Sequence, residues 1–289
     1  MKKFNWLLLS VVLLVSVVAS GQDFSELQNQ ADKAFMDGKY EQALVQYKSL
    51  IALDDGDSIQ RANVYSYAGF CSEELGQNKE ALRFYKEALL LHVPQLMIYD
   101  KMINLAKNEN DDEAYEFGLL QKKSEFPEFE AAIVQSLGYH YYKTKQYKEL
   151  LGTTTKLTEW FPDNAKFILF QAVAKQNLGD EEGAKADYAK VLSLDPDNAG
   201  ANMSVGLILY NKANKIYDKM KGEYDAIKNP SRIDYSNLRS NLEEPKAIFE
   251  EALPYLLKAY ENKSYGSLKA VIRNAYVKLG DKEKADKYL

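Results

Sequence analysis

A small residue recurs about every 34 positions through most of this sequence. The successive steps between the recurring positions are 38, 33, 36, 34, 68 and 33 residues. A fixed period of this length is typical of chains built from one repeated supersecondary unit. The fifth step is twice the period, so it predicts one unit of unusual length. The recurring positions, of which only the fourth is not small, are Ala43, Ala81, Ala114, Leu150, Ala184, Ala252 and Ala285.

Composition favours helices as the repeated element. The 289 residues include only 15 Gly and 7 Pro, which leaves few sites for tight turns and argues against an all-β sandwich or barrel. Apolar residues recur at three- and four-residue spacing, as in Leu44, Tyr47 and Leu50, which is the period of an amphipathic helix. The 21 tyrosines are the outlier in composition, and they predict helices that pack through aromatic rings.

Several segments resemble a known family. GKYEQALVQYKSLIALD (38–54), GQNKEALRFYKEALLL (76–91) and LGDEEGAKADYAKVLSLDPDN (178–198) each resemble the second half of a tetratricopeptide repeat (TPR), and LGYHYYKTKQY (137–147) resembles the first half. The resemblance implies an all-α fold, namely a right-handed α-solenoid of antiparallel helix pairs (the TPR superhelix). It also implies a concave face that is lined by the first helix of each pair.

The repeats divide residues 22–289 into one array. The third repeat is degenerate, because Gly118 stands where the pattern expects an aromatic residue, and this predicts a local distortion. The last repeat is truncated. We expect repeats at about 24–57, 62–95, 95–128, 131–164, 165–198, 199–265 and 266–289.

The sixth repeat predicts an elongated hairpin at 214–246. An apolar stripe runs at helical spacing from Leu209 to Ile227, and Asn229-Pro230 then ends it. Pro254 lies well inside the returning helix and predicts a kink. The alternative is a decayed extra repeat, but Asp218 would then stand at a small packing position. The hairpin is either a docking arm or dimer contact, or a solvated length variant.

Residues 1–21 have the pattern of a secretory signal peptide. Two lysines precede an apolar run of 14 residues, Trp6 to Ala19, and Ala19-Ser20-Gly21 offers the small residues that a signal peptidase reads. The alternative is an uncleaved anchor, although a spanning helix needs about 20 apolar residues. The absence of a Cys after the cleavage site argues against a lipoprotein. We therefore expect a periplasmic or secreted protein with no transmembrane segment after cleavage.

The residue types that usually carry chemistry are sparse. The only imidazoles are His92 and His140, and the only thiol is Cys71; none has a His or Cys partner at metal-ligand spacing. Glycine-rich phosphate loops and nucleophile motifs do not occur. The net charge of −5 disfavours nucleic-acid binding. We therefore expect no enzyme activity, no cofactor and no metal.

The family resemblance places aromatic residues on the concave groove. These rings either bind an extended peptide or pack between neighbouring first helices. We therefore expect a non-catalytic protein–protein interaction scaffold of the cell envelope. A component that binds carbohydrate or cell-wall glycan through surface tyrosines is the alternative, and the partner and oligomeric state stay open. The candidate groove residues are Phe35, Tyr67, Phe70, Tyr99, Tyr139, Tyr142, Phe170 and Tyr210.

Overall fold

The structure, a computed structural model, describes residues 24–263 and 266–289. The predicted signal peptide lies outside the described residues. Within them, the regular secondary structure is helical throughout, as the sequence predicts, and none of these helices has both the length and the apolar character needed to cross a membrane. The chain divides into two compact bodies, Met1–His140 and Tyr141–Leu289.

The N-terminal body is a series of helices in which each, from Phe24–Met36 up to Asp112–Glu125, packs against the next along the chain. A turn of 3-10 helix, Pro127–Phe129, precedes the helix that begins at Glu130. The helices are α1 (Phe24–Met36), α2 (Tyr40–Leu53), α3 (Ser58–Glu74), α4 (Asn78–Leu90), α5 (Leu96–Glu109), α6 (Asp112–Glu125) and α7 (Glu130–Thr144).

The C-terminal body continues the same pattern up to its long hairpin. It contains α8 (Tyr147–Trp160), α9 (Ala165–Asn177), α10 (Glu181–Leu194), α11 (Ala199–Asp225), α12 (Arg232–Asn241), α13 (Glu243–Lys263), α14 (Gly266–Leu279) and α15 (Lys282–Asp286).

Local chemistry fixes where the helices begin and end. The Asp57 carboxylate accepts a hydrogen bond from the Gln60 amide, and the Gln60 side chain accepts one from the Asp57 amide, which forms a capping box at the start of α3. The turn between α3 and α4 passes through Gly76 with φ of 70°. Glycine takes this left-handed conformation without the steric cost that a Cβ would bring.

The recurring small positions are where paired helices touch. Ala43, Ala81, Ala184 and Ala252 are fully buried, and so is Leu150. Close approach is also visible at Gly69 on α3, where a Cβ would stand 2.6 Å from the Tyr85 ring of α4. The repeat spacing therefore reflects buried helix contacts, which are formed by a small residue in most repeats and by Leu150 in the fourth.

The aromatic residue that follows the small position is a second fixed contact. Tyr47, Tyr85 and Tyr188 are almost completely buried, as the repeat pattern predicts. Each hydroxyl donates a hydrogen bond to the preceding helix: to Asp32 at 2.6 Å, to Glu73 at 2.7 Å and to Gln176 at 2.5 Å. A buried tyrosine needs such a polar partner for its hydroxyl.

The third repeat replaces this aromatic residue with Gly118. The glycine is buried in α6, and a Cβ there would lie 2.9 Å from Cγ1 of Ile103 on α5. The Ile103 side chain thus comes against the glycine backbone, and any side chain at position 118 would displace it.

The elongated hairpin of the sixth repeat is present. α11 has 27 residues and packs along α13, which has 21. Gly206 permits this contact, because a Cβ there would stand 2.7 Å from Cγ of Leu256 and 3.1 Å from its backbone nitrogen. α13 continues through Pro254, while Pro245 lies in its first turn, where a missing amide costs little.

Candidate functional site

The eight predicted groove residues differ widely in exposure. Tyr67, Tyr139 and Tyr142 keep 38%, 42% and 40% of their surface exposed. Phe35 and Phe70 are half-buried. The other three are buried, with exposed fractions of 0% for Tyr99, 4% for Phe170 and 9% for Tyr210. Burial gives these three rings a packing role, so contact with a ligand falls mainly to the exposed tyrosines.

Phe35, Tyr67 and Phe70 form an aromatic cluster in the N-terminal body, here called the first cluster. The ring centroid of Phe35 lies 5.0 Å from that of Tyr67 and 6.0 Å from that of Phe70, both in edge-to-face geometry. Tyr67 also stacks on the buried Tyr47 ring at 5.7 Å. These contacts join the first helices of two adjacent repeats, α1 and α3, and they hold Tyr67 in place while part of its ring stays exposed.

The charged side chain of Lys101 borders the first cluster. Lys101 on α5 places its Nζ 4.1 Å from the centre of the Phe70 ring and 3.0 Å from Oε2 of Glu73. Glu73 also accepts the hydroxyl hydrogen bond of Tyr85. The ammonium group is therefore held between an aromatic face and a carboxylate, and both contacts stabilise its charge.

A second pair of rings lies in the C-terminal body. Tyr142 and Phe170 stack with centroids 4.1 Å apart and an interplanar angle of 16°. The Lys166 ammonium lies 5.9 Å from the centre of the Phe170 ring. Tyr142 thus covers the buried Phe170 with one face. Since 40% of Tyr142 is exposed, this pair, like the first cluster, combines helix packing with an exposed aromatic surface.

Tyr210 belongs to the base of the long hairpin. Its ring packs against Phe249 at 5.6 Å, and its hydroxyl accepts a hydrogen bond of 2.7 Å from the Asn274 amide on α14. Burial raises the pKa of its hydroxyl. These contacts fix the hairpin to the last complete helix and leave Tyr210 little surface for a ligand.

A largely buried lysine completes the base of the hairpin. Lys278 on α14 donates hydrogen bonds of 2.6 Å to both Asn214 and Asp218 on α11. Its Nζ lies 4.5 Å from the centre of the Tyr217 ring. Asp218, which would oppose packing in a decayed extra repeat, is instead an ion-pair partner in a long helix.

The two imidazoles and the thiol, which are the side chains considered for catalysis or metal binding, each have a structural explanation. Nδ1 of the exposed His92 lies 3.0 Å from Oε1 of Glu125. His140 is buried, with Nε2 3.4 Å from Oε2 of Glu116. Cys71 is fully buried, and burial raises the pKa of its thiol to about 12, so the thiolate that a nucleophile requires is disfavoured.

Sequence reasoning identified the aromatic positions but missed Lys101. The residue lies on the first helix of the degenerate third repeat, 28 positions after Glu73. The sequence alone does not show that its ammonium reaches Glu73 and Phe70 on the neighbouring repeat.

Comparisons with known proteins give limited similarity. No family model matches the chain. BBSome complex member BBS4 is 26% identical over 108 residues in Bos taurus and 24% identical over 123 residues in Mus musculus. The matched segments cover 36% and 41% of this chain, and only 21% and 24% of the respective relatives. The chain therefore spans about a quarter or less of the length of these relatives.

The solved structures with a similar arrangement of helices include three whose sequences have low identity with this chain. A protein from Bacteroides ovatus ATCC 8483, provisionally described as protein-binding, is 21% identical, with a TM-score of 0.46 over 78% of this chain and 98% of that chain. PilW, a type IV pilus biogenesis factor, is 12% identical, with a TM-score of 0.43 over 78% and 90%. YrrB, a TPR protein with an unusual peptide-binding site, is 18% identical, with a TM-score of 0.36 over 65% and 95%.

The resemblance to the tetratricopeptide repeat is visible in the contacts of the chain itself. The recurring small positions are helix contacts, and the aromatic residues that follow three of them are buried with hydroxyl partners on the preceding helix. Successive helices pack as antiparallel pairs within each body. The repeat spacing and the helix pairs of this chain thus resemble those of tetratricopeptide-repeat proteins.

Proposed function

We propose that this protein is a non-catalytic scaffold that binds a peptide or protein segment through the exposed tyrosines of its first helices. The observation that carries the proposal is the geometry of Tyr67. Its ring is held by Phe35 at 5.0 Å and Tyr47 at 5.7 Å, yet 38% of the residue is exposed. An aromatic side chain that is already immobilised loses little conformational entropy when it binds a partner.

Tyr142 supports the same interpretation in the C-terminal body. It is 40% exposed although it stacks on Phe170. An exposed tyrosine offers apolar area together with a hydroxyl that can bond a peptide backbone.

The compartment is a separate part of the proposal. The signal-peptide pattern of residues 1–21 supports a periplasmic or secreted location. Immunoblots of fractionated cells test it, since the exported protein should migrate as a shorter chain than its cytoplasmic precursor. A full-length chain confined to the cytoplasm would contradict this part alone.

A peptide display library selected against the purified protein tests the binding function. We expect enriched peptides whose affinity falls when Tyr67, Tyr139 and Tyr142 are all replaced by Ala, by about 5- to 30-fold for each tyrosine that contacts the peptide, because aromatic hot-spot residues each contribute at least about 1–2 kcal/mol. Single variants identify which body binds, since Tyr67 and Tyr142 lie in different bodies.

The matched control is Tyr235→Ala, which removes an exposed tyrosine on α12 that is not one of the candidate groove residues. Its affinity for the selected peptides should be unchanged. Absence of any enriched peptide would contradict the proposal. An equal loss in Tyr235→Ala, or no loss in the triple variant with helicity unchanged by circular dichroism, would contradict it as well.

A further inference from the structure

The end of the long hairpin, residues 226–242, has a surface that the groove proposal does not use. We call this segment the hairpin tip. It contains three apolar residues with large exposed fractions: 41% for Ile227, 72% for Ile233 and 59% for Tyr235. Exposed aliphatic side chains at the end of a projecting element are a feature of interaction surfaces.

The hairpin tip is held in a defined shape. Leu238 and Leu242 are buried, and they anchor α12 to the hairpin helices α11 and α13. Tyr235 contacts Tyr224 of α11 in edge-to-face geometry, with centroids 6.4 Å apart. The exposure of Ile233 is therefore a property of a folded element.

The hairpin tip is positively charged in an acidic protein. It carries Lys228, Arg232 and Arg239 against the single carboxylate Asp234, a net charge of +2, whereas the whole chain has −5. Among the described residues, none of the three cations forms an ion pair. Asp234 is engaged in a capping box with Ser231, whose hydrogen bonds lower the pKa of its carboxyl. The tip therefore has uncompensated positive charge.

The cations of the neighbouring turns show that this pattern is local. Lys219 pairs with Glu223, and Lys221 pairs with Asp225. Lys246, just beyond the tip, pairs with Glu243 at 3.2 Å. Two of the carboxylates that adjoin the tip, Asp225 and Glu243, are held in these ion pairs, so their charge is compensated locally.

We propose that the hairpin tip docks on an anionic lipid surface, with Ile227, Ile233 and Tyr235 in the interfacial region and the three cations among the headgroups. Exposed apolar side chains flanked by Lys and Arg are the combination that binds such interfaces, and tyrosine is enriched there. A peptide is usually held in a concave groove, whereas the end of a hairpin is convex. Lipid headgroups rearrange around a convex element, so the shape favours a bilayer over a peptide.

Cosedimentation of the purified protein with lipid vesicles tests the proposal. We expect binding to vesicles of phosphatidylglycerol and phosphatidylcholine that weakens with added salt, and much weaker binding to phosphatidylcholine alone. The variant with Lys228→Gln, Arg232→Gln and Arg239→Gln should bind about 100-fold more weakly, equivalent to about 2.7 kcal/mol. Ile233→Ser should bind about 10-fold more weakly because it removes apolar burial.

The matched control replaces three other exposed lysines of the C-terminal body, Lys185, Lys190 and Lys212, with Gln. This control variant changes the net charge by the same amount as the tip variant. It should bind the anionic vesicles within about twofold of the unmodified protein, because binding depends on the cations of the hairpin tip and not on net charge alone. Equal losses in the two triple variants, equal binding to both vesicle types, or no binding to anionic vesicles would overturn the proposal. The groove proposal is independent, since its peptide selection uses no lipid.

Discussion

Two buried tyrosines of the N-terminal body provide a matched test of how the hydroxyl groups contribute to stability. The hydroxyl of Tyr85 donates to Oε2 of Glu73 at 2.7 Å. The hydroxyl of Tyr99 is buried and lacks a hydrogen-bond partner among the described residues. Both residues are fully buried, so a Tyr→Phe substitution removes one oxygen in each case and preserves the ring packing.

The two substitutions should have opposite effects on the free energy of unfolding. Tyr85→Phe removes a hydrogen bond to a charged acceptor, which contributes about 1.5–3 kcal/mol. Glu73 retains its ion pair with Lys101, so its carboxylate is not left alone. Tyr99→Phe removes a buried, unsatisfied hydroxyl and should stabilise the protein by about 1 kcal/mol or more. We therefore expect the variants to differ by about 3 kcal/mol.

Urea unfolding followed by far-ultraviolet circular dichroism measures this difference. With a slope m of about 1.5 kcal/mol/M, the unfolding midpoints should differ by about 2 M. Tyr67→Phe, at an exposed ring, is the control and should change stability by no more than about 0.5 kcal/mol. If Tyr99→Phe destabilises the protein as much as Tyr85→Phe does, the Tyr99 hydroxyl has a partner and the reasoning is refuted.

Two further predictions concern helix contact and pH. Gly206→Ala should destabilise the protein by about 1–3 kcal/mol, because its Cβ would stand 2.7 Å from Leu256. Gly222 has open space around it, so Gly222→Ala should be neutral or stabilising by up to about 1 kcal/mol. Equal unfolding midpoints of the two variants in urea would contradict this prediction. Burial raises the pKa of Tyr99 to about 12, so its neutral form favours the folded state. Stability should be constant up to about pH 10, where unfolded tyrosine begins to ionise, and should fall as the pH rises toward about 12. In Tyr99→Phe this alkaline loss should be smaller, and an unchanged pH profile would show that Tyr99 does not contribute.

The repeat architecture could be predicted from the sequence because each repeat solves the same packing problem. Ala43, Ala81 and Ala184 mark positions where helix axes approach closely, and the structure buries all three. Tyr47 and Tyr188 follow at one turn and fill the adjacent space. Such contacts are local within a repeat, so the pattern of one short segment is sufficient to predict them.

The candidate site was predictable only in part. A helical position indicates which face of a first helix a residue occupies, and on this basis Tyr67 and Tyr99 look alike. The structure leaves Tyr67 partly exposed and buries Tyr99, whose ring packs edge-to-face on Phe126 at 5.3 Å. How far a side chain is covered depends on residues of other helices, which the local pattern does not contain.

The sequence by itself determined the helical repeats, their small and aromatic contacts and the elongated hairpin, because these follow from periodicity within one or two helices. Only the tertiary structure decided which rings remain exposed, how Lys101 reaches Glu73 across 28 residues and why Asp218 is tolerated in a long helix. The physical reason is that burial and ion pairing are properties of side chains brought together from separate helices. The Asp218 carboxylate gains its partner, Lys278, from 60 residues further along the chain.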